Sequence, residues 1–151
     1  MSGAAGPTLV HASVVAAWTS TGWRGVLIEG PSGAGKSSLA LQLMAMGWRL
    51  VGDDYVQVWA SGGRLHARGP DRIRGRIEAR GLGLVEAPPL PLVPLALAVI
   101  ADPAPERLPE PRVRALCGLE IPQLALRLDA PMTAGLVARA LRRLPCDPVL
   151  P

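Results

Sequence analysis

The chain has 151 residues, 49% hydrophobic and 19% charged, which suits one compact domain and excludes intrinsic disorder. The net charge of +4 rests almost wholly on arginines that are scattered, form no basic run and interleave with no aromatic platform, so a solvated Arg-rich surface is expected and a nucleic-acid partner is not. Cys117 and Cys146 lie far apart with no C-x-x-C spacing, and the longest apolar run, Leu95 to Ala101, is about a third of the roughly 20 residues of a helical membrane span, so no metal–thiolate site and no membrane are expected, and a cytoplasmic location is.

In chain order, Leu9 to Ala17 reads as one buried strand carrying His11. Thr19 to Arg24 reads as a turn centred on Gly22, and Gly25 to Glu29 as a short apolar strand. Ser37 to Met46 shows helical spacing, with Leu39, Leu43 and Met46 on one face and Ala40 and Met44 beside it. Gly47 stands where such a helix would end. Arg49 to Gly52 is a strand running into Asp53-Asp54. Tyr55 to Ala60 and Arg64 to Arg68 form a predicted hairpin around Ser61-Gly62-Gly63. Leu95 to Ala101 and Leu124 to Leu128 are further strands, and Thr133 to Leu144 a last helix. The proline-rich stretches 88–94 and 103–111 read as connecting loops. Hairpins mixed with a strand–loop–helix unit predict an α/β fold with a mixed sheet over a single domain, residues 1–151.

Between the strand and the helix, Gly30-Pro31-Ser32-Gly33-Ala34-Gly35-Lys36-Ser37 satisfies G-x-x-x-x-G-K-[ST] without a mismatch. Glycines let successive N–H groups turn inward on phosphate oxygens, and the helix beginning at Lys36 adds its positive end. Lys36 would reach the β- and γ-phosphates of ATP, while the Ser37 hydroxyl is suited to Mg²⁺ and Ser38 continues the cradle. Lys36 is the only lysine against fifteen arginines, so a compact, mobile ammonium stands where charge alone would be met by Arg.

Other polar residues admit two readings from the residues alone. Asp53-Asp54 is either a turn pair or a metal and proton-transfer pair at the end of a strand beside the phosphate loop. Glu78 and Arg80 fall on one face of an alternating stretch, as a surface ion pair or as a metal ligand and a phosphate clamp. His11 is a core histidine or a functional one, and His66 reads as exposed.

Four stretches resemble the catalytic domain of HPr kinase/phosphorylase: Gly25 to Ser37, Gly47-Trp-Arg-Leu-Val-Gly-Asp-Asp54, Ile77-Glu-Ala-Arg-Gly-Leu-Gly83 and Gly118-Leu-Glu-Ile-Pro122. The resemblance runs from about His11 to Pro122, without that family's N-terminal domain, like its short single-domain forms. It implies a P-loop domain that phosphorylates a serine of the carrier protein HPr, reverses this by phosphorolysis, and forms homo-oligomers. It also implies Asp54 as general base, Glu78 as a Mg²⁺ ligand, His11 as the histidine before the loop, and Arg107 at the place of a phosphate-contacting arginine; the residues themselves add Asp53 with Ser37 at Mg²⁺ and Arg80 as a phosphate clamp. At Arg127 to Thr133 the chain lacks the glycine and the Arg-Asn pair of the family's dephosphorylation-linked loop, so the forward reaction is the main expectation. A small-metabolite kinase and an ATP-sensing module without turnover are the rival readings.

Overall fold

The computed structural model describes residues 6–69, 76–79, 81–86 and 90–144. Its elements are β1 (Thr8–Val10), β2 (Ala12–Thr19), β3 (Gly22–Glu29), α1 (Lys36–Ala45), β4 (Arg49–Gly52), β5 (Val56–Ser61), β6 (Arg64–Arg68), β7 (Arg76–Ala79), β8 (Gly83–Glu86), β9 (Val93–Ala101), β10 (Arg112–Leu116), β11 (Leu119–Leu126) and α2 (Thr133–Arg143). The expected α/β fold with a mixed sheet is present: the main sheet runs β1-β5-β6-β9-β3-β2-β4, with β11 also on β9 and β10 on β11, and β7 pairs with β8.

Direction within the sheet positions the site. β9 runs parallel to β3 and to β11, while β2 is antiparallel to both β3 and β4. The C-terminal ends of β3, β4, β9 and β11 therefore share one edge, where open α/β sheets bind ligands. The start of β2 lies at that same edge, since Ala12 pairs with Glu29.

Alternation splits the central strands between two cores. Val15, Val26, Ile28 and Val99 pack with Leu39 and Leu43 of α1 and Val137 and Leu141 of α2. Val14, Ala16, Leu27 and Ala98 face the other way, against Val56, Val58 and Leu65 of β5–β6 and Leu116 and Ile121 of β10–β11.

Several local expectations need correction. The predicted strand at 9–17 breaks at His11: β1 pairs with β5, and β2 leaves it to pair with β3. The predicted turn at 19–24 is a tight hairpin, because Thr19 pairs with Gly22 and Thr19 Oγ1 donates to Gly22 O at 2.7 Å. Met46 leaves the buried face and is exposed, because α1 ends before it: Gly47 N–H donates to Met44 O and Trp48 N–H to Leu43 O. The strand expected at 124–128 begins at Leu119 and forms a hairpin with β10. His66 is half-buried and stacked on Trp59, with ring centroids 5.7 Å apart.

Candidate active site

The phosphate loop follows β3 directly. Ala34 N–H donates to Pro31 O at 3.0 Å, and Leu39 N–H to Gly35 O at 2.9 Å, opening α1. Gly35, the residue at the start of α1, has φ 107°, and the first turn carries no acidic residue. Among the described residues no side chain caps this end, which leaves its amide groups for an anion. Lys36 folds back along the loop, its Nζ donating to Gly30 O at 2.7 Å and Pro31 O at 3.2 Å.

Two aspartates close the other side. β4 delivers them through a close approach of two backbones: a Cβ on Gly52 would lie 2.9 Å from Gly69 Cα, and one on Gly69 would lie 2.4 Å from Val51 O, so only glycine is accommodated there. Asp53 Oδ1 accepts from Ser13 Oγ at 2.6 Å and from Ser37 Oγ at 3.0 Å, and its Oδ2 lies 3.1 Å from Ser37 Oγ. The phosphate-loop serine and the strand-end carboxylate thus form one set of hard oxygen donors, the chemistry that Mg²⁺ prefers. Magnesium keeps several waters and takes few protein ligands, so it needs no larger acidic cluster; the described residues contain none.

Asp54 sits in a three-residue turn closed by Tyr55 N–H donating to Asp53 O at 2.9 Å, with φ 73° at Asp54. Left-handed backbone is costly for a side-chain-bearing residue, least so for Asp and Asn. Its carbonyl accepts from Ala12 N–H at 3.0 Å, and its Oδ1 lies 3.1 Å from His11 Nε2. His11 stacks on Tyr55 at 4.9 Å between centroids. The Asp54 carboxylate remains 64% exposed, open to an incoming group.

The structure thus brings together His11, Lys36, Ser37, Asp53 and Asp54. Arg107 is exposed on the segment after β9, and among the described residues no ion pair ties it to this cluster. Glu78 lies on β7, and its side chain is outside what the structure describes. Arg80 lies outside the described residues. Sequence reasoning missed Ser13, Tyr55 and a forked pair at the root of the loop. In that pair Arg114 Nε donates to Glu29 Oε1 at 2.7 Å and Nη2 to Oε2 at 2.9 Å. The bond to Glu29 holds the Arg114 guanidinium above its ordinary range. These contacts join residues 40 and 85 positions apart in sequence, so no local signal could reveal them.

The loop, the parallel strand ends and the helix that follows the loop define a P-loop domain. The family model described as the HPr serine kinase C-terminal domain matches residues 5–90, more than half of the chain, and the chain belongs to that family. It is 46% identical over 66 residues to the HPr kinase/phosphorylase of Clostridium tetani, covering 44% of this chain and 22% of that protein. It is 47% identical over 62 residues to that of Brevibacillus brevis, covering 40% and 20%. The matched stretch spans about a fifth of the length of these relatives. In fold, the chain is similar to the Hpr(Ser) kinase/phosphatase from Coxiella burnetii, with a TM-score of 0.73, 23% identity, and coverage of 90% of this chain and 88% of that one.

Proposed function

We propose that this chain is an ATP-dependent kinase that phosphorylates a serine of the phosphocarrier protein HPr. The observation that carries the reading is the pairing of a phosphate loop with an exposed carboxylate, Asp54, oriented by His11. A base on the open rim suits an acceptor serine presented on another protein, which has to approach as a surface.

ATP binds with its phosphates over the amides of residues 30–37, and Lys36 moves from the loop carbonyls to the β- and γ-oxygens. Ser37 and Asp53 are the residues that would hold Mg²⁺, joined by Glu78 through the family resemblance. When bound, the ion neutralises charge on the β- and γ-phosphates. The acceptor serine Oγ attacks the γ-phosphorus in line, its proton passes to Asp54, and the bond to the β,γ-bridging oxygen breaks to release ADP. His11 holds the Asp54 carboxylate toward the acceptor. Arg80 and Arg107 are proposed to meet the transferring group. Such catalysis is mostly positioning and electrostatics. Homo-oligomeric assembly belongs to the same proposal, and sedimentation of the purified chain reads it.

The test is incubation of the protein with purified HPr, Mg²⁺ and γ-labelled ATP. Label on a seryl residue of HPr is expected, and its release on adding inorganic phosphate would extend the activity to phosphorolysis. No label on HPr sinks the substrate assignment. Label on a small acceptor instead marks a metabolite kinase, and ATP binding without transfer marks a sensing module.

A further inference from the structure

The register of β1 on β5 carries past the last rung of its ladder. Val10 pairs with Val56, and Ala12 N–H donates to Asp54 O at 3.0 Å, so His11 and Tyr55 stand opposite each other between those two contacts. Residues directly opposite on neighbouring strands share a face, and their side chains meet. These two rings do so, with centroids 4.9 Å apart and planes 29° from parallel. Both lie at the rim of the site: Tyr55 is 43% exposed and the His11 side chain 35%.

That exposure leaves the orientation of His11 to be explained. A half-exposed side chain changes rotamer rapidly unless something holds it. Among the described residues the imidazole has one hydrogen-bonding partner, Asp54 Oδ1, 3.1 Å from Nε2. One bond to a carboxylate that is itself 64% exposed leaves the ring free to swing about that contact. The stack supplies the second constraint. Tyr55 can give it because its backbone is fixed on both sides: its N–H donates to Asp53 O at 2.9 Å, and Val56 after it is paired in β5. We infer that Tyr55 is a positioning residue of the transfer site, its ring holding His11 with Nε2 on Asp54 and so keeping the carboxylate turned toward the acceptor. It acts through His11 and needs no contact with ATP or with the acceptor. The inference rests on the kinase reading above and adds the element that orients its base.

Steady-state phosphotransfer from Mg²⁺–ATP to HPr tests it in wild type, Tyr55→Phe, Tyr55→Ala, His11→Ala and the double variant with alanine at both positions. Tyr55→Ala is expected to lower kcat about three- to tenfold, the scale of one aromatic pair, with KM for HPr and the calorimetric affinity for ATP unchanged. Tyr55→Phe keeps the ring and should retain wild-type kcat. In the His11→Ala background, loss of Tyr55 should cost nothing further. Unchanged kcat in Tyr55→Ala, failure of phenylalanine to rescue, a raised KM for HPr, weakened ATP binding, or additive losses in the double variant each overturn positioning through His11. Tyr55 is the chain's one tyrosine, so ring-labelled protein gives a single set of tyrosine signals. Magnetic cross-relaxation with the His11 ring is expected, and its absence overturns the stack itself. Wild type that transfers nothing to HPr overturns the kinase reading and this inference with it, whereas active wild type with any failure above confines the error to Tyr55.

Discussion

Ser13 and Ser37 donate to the same oxygen of Asp53, so the second strand and the first helix are locked together through one carboxylate. Ser13 is fully buried and makes the shorter bond, at 2.6 Å. Its role is to fix Asp53, leaving Ser37 free to exchange its partner when a ligand arrives. Ser13→Ala is predicted to destabilise the fold by about 1.5–3 kcal/mol, the range for a hydrogen bond to a charged group. Urea denaturation measures this, and an unchanged midpoint contradicts it.

At Asp54 catalysis and stability are predicted to conflict. Asp54→Asn keeps a residue that tolerates φ 73° and should fold and bind ATP normally, while losing about 10²-fold or more in phosphotransfer. Asp54→Gly removes the backbone strain, offset by loss of the exposed His11 contact, and is predicted to raise stability by up to about 1 kcal/mol while abolishing transfer. Paired denaturation and turnover assays decide. A glycine variant that is both active and less stable refutes the role and the strain together.

The Gly52–Gly69 approach sets where β4 ends. Gly69→Ala forces a methyl group onto Val51 O and is predicted to cost about 1–3 kcal/mol. Because Asp53 and Asp54 follow directly, turnover should fall by more than the loss of folded protein explains. Thermal melting and turnover on the same sample separate the two effects.

His66 gives the fold a weak acid sensitivity. Burial first, and the neighbouring Arg64 charge second, push its imidazole below the ordinary value of about 6.5. The unfolded chain then binds the proton more readily than the folded one, so this residue's contribution is intact above about pH 6.5 and declines as pH falls through and below that value. His66→Gln should flatten the pH dependence of stability on the acidic side of neutrality. Denaturation midpoints between pH 5 and 8 check this, and identical slopes for variant and wild type contradict it.

Features written in neighbouring residues were legible. The phosphate loop, α1, β4 and the β5–β6 hairpin each carry a local signature, and the two-residue turn at Gly62-Gly63 has the positive φ values, 61° and 77°, that its glycines announce. Features created by distant partners were not. His11 interrupts an apolar run that looks continuous, and only pairing with β5 on one side and β3 on the other divides it. β10 follows the proline-rich stretch and carries no clear strand signature of its own, with Arg112, Val113 and Ala115 exposed; it becomes a strand by pairing with β11, and Leu116 joins the core of β5 and β6. The aspartate pair was visible as a motif, whereas its hold on Ser13 required the fold.

The fork between Glu29 and Arg114 sets the true extent of the folding unit. The family model matches residues 5–90, yet the acid at the root of the phosphate loop is neutralised by a residue beyond that stretch, and α1 shares its core with α2 near the far end. A fragment cut at the end of the matched stretch would carry the whole motif on a half-buried anion with no counter-charge and a helix stripped of its neighbour. The matched stretch and the packed unit therefore differ in extent: residues after 90 supply the counter-charge and the helix neighbour on which the earlier half rests.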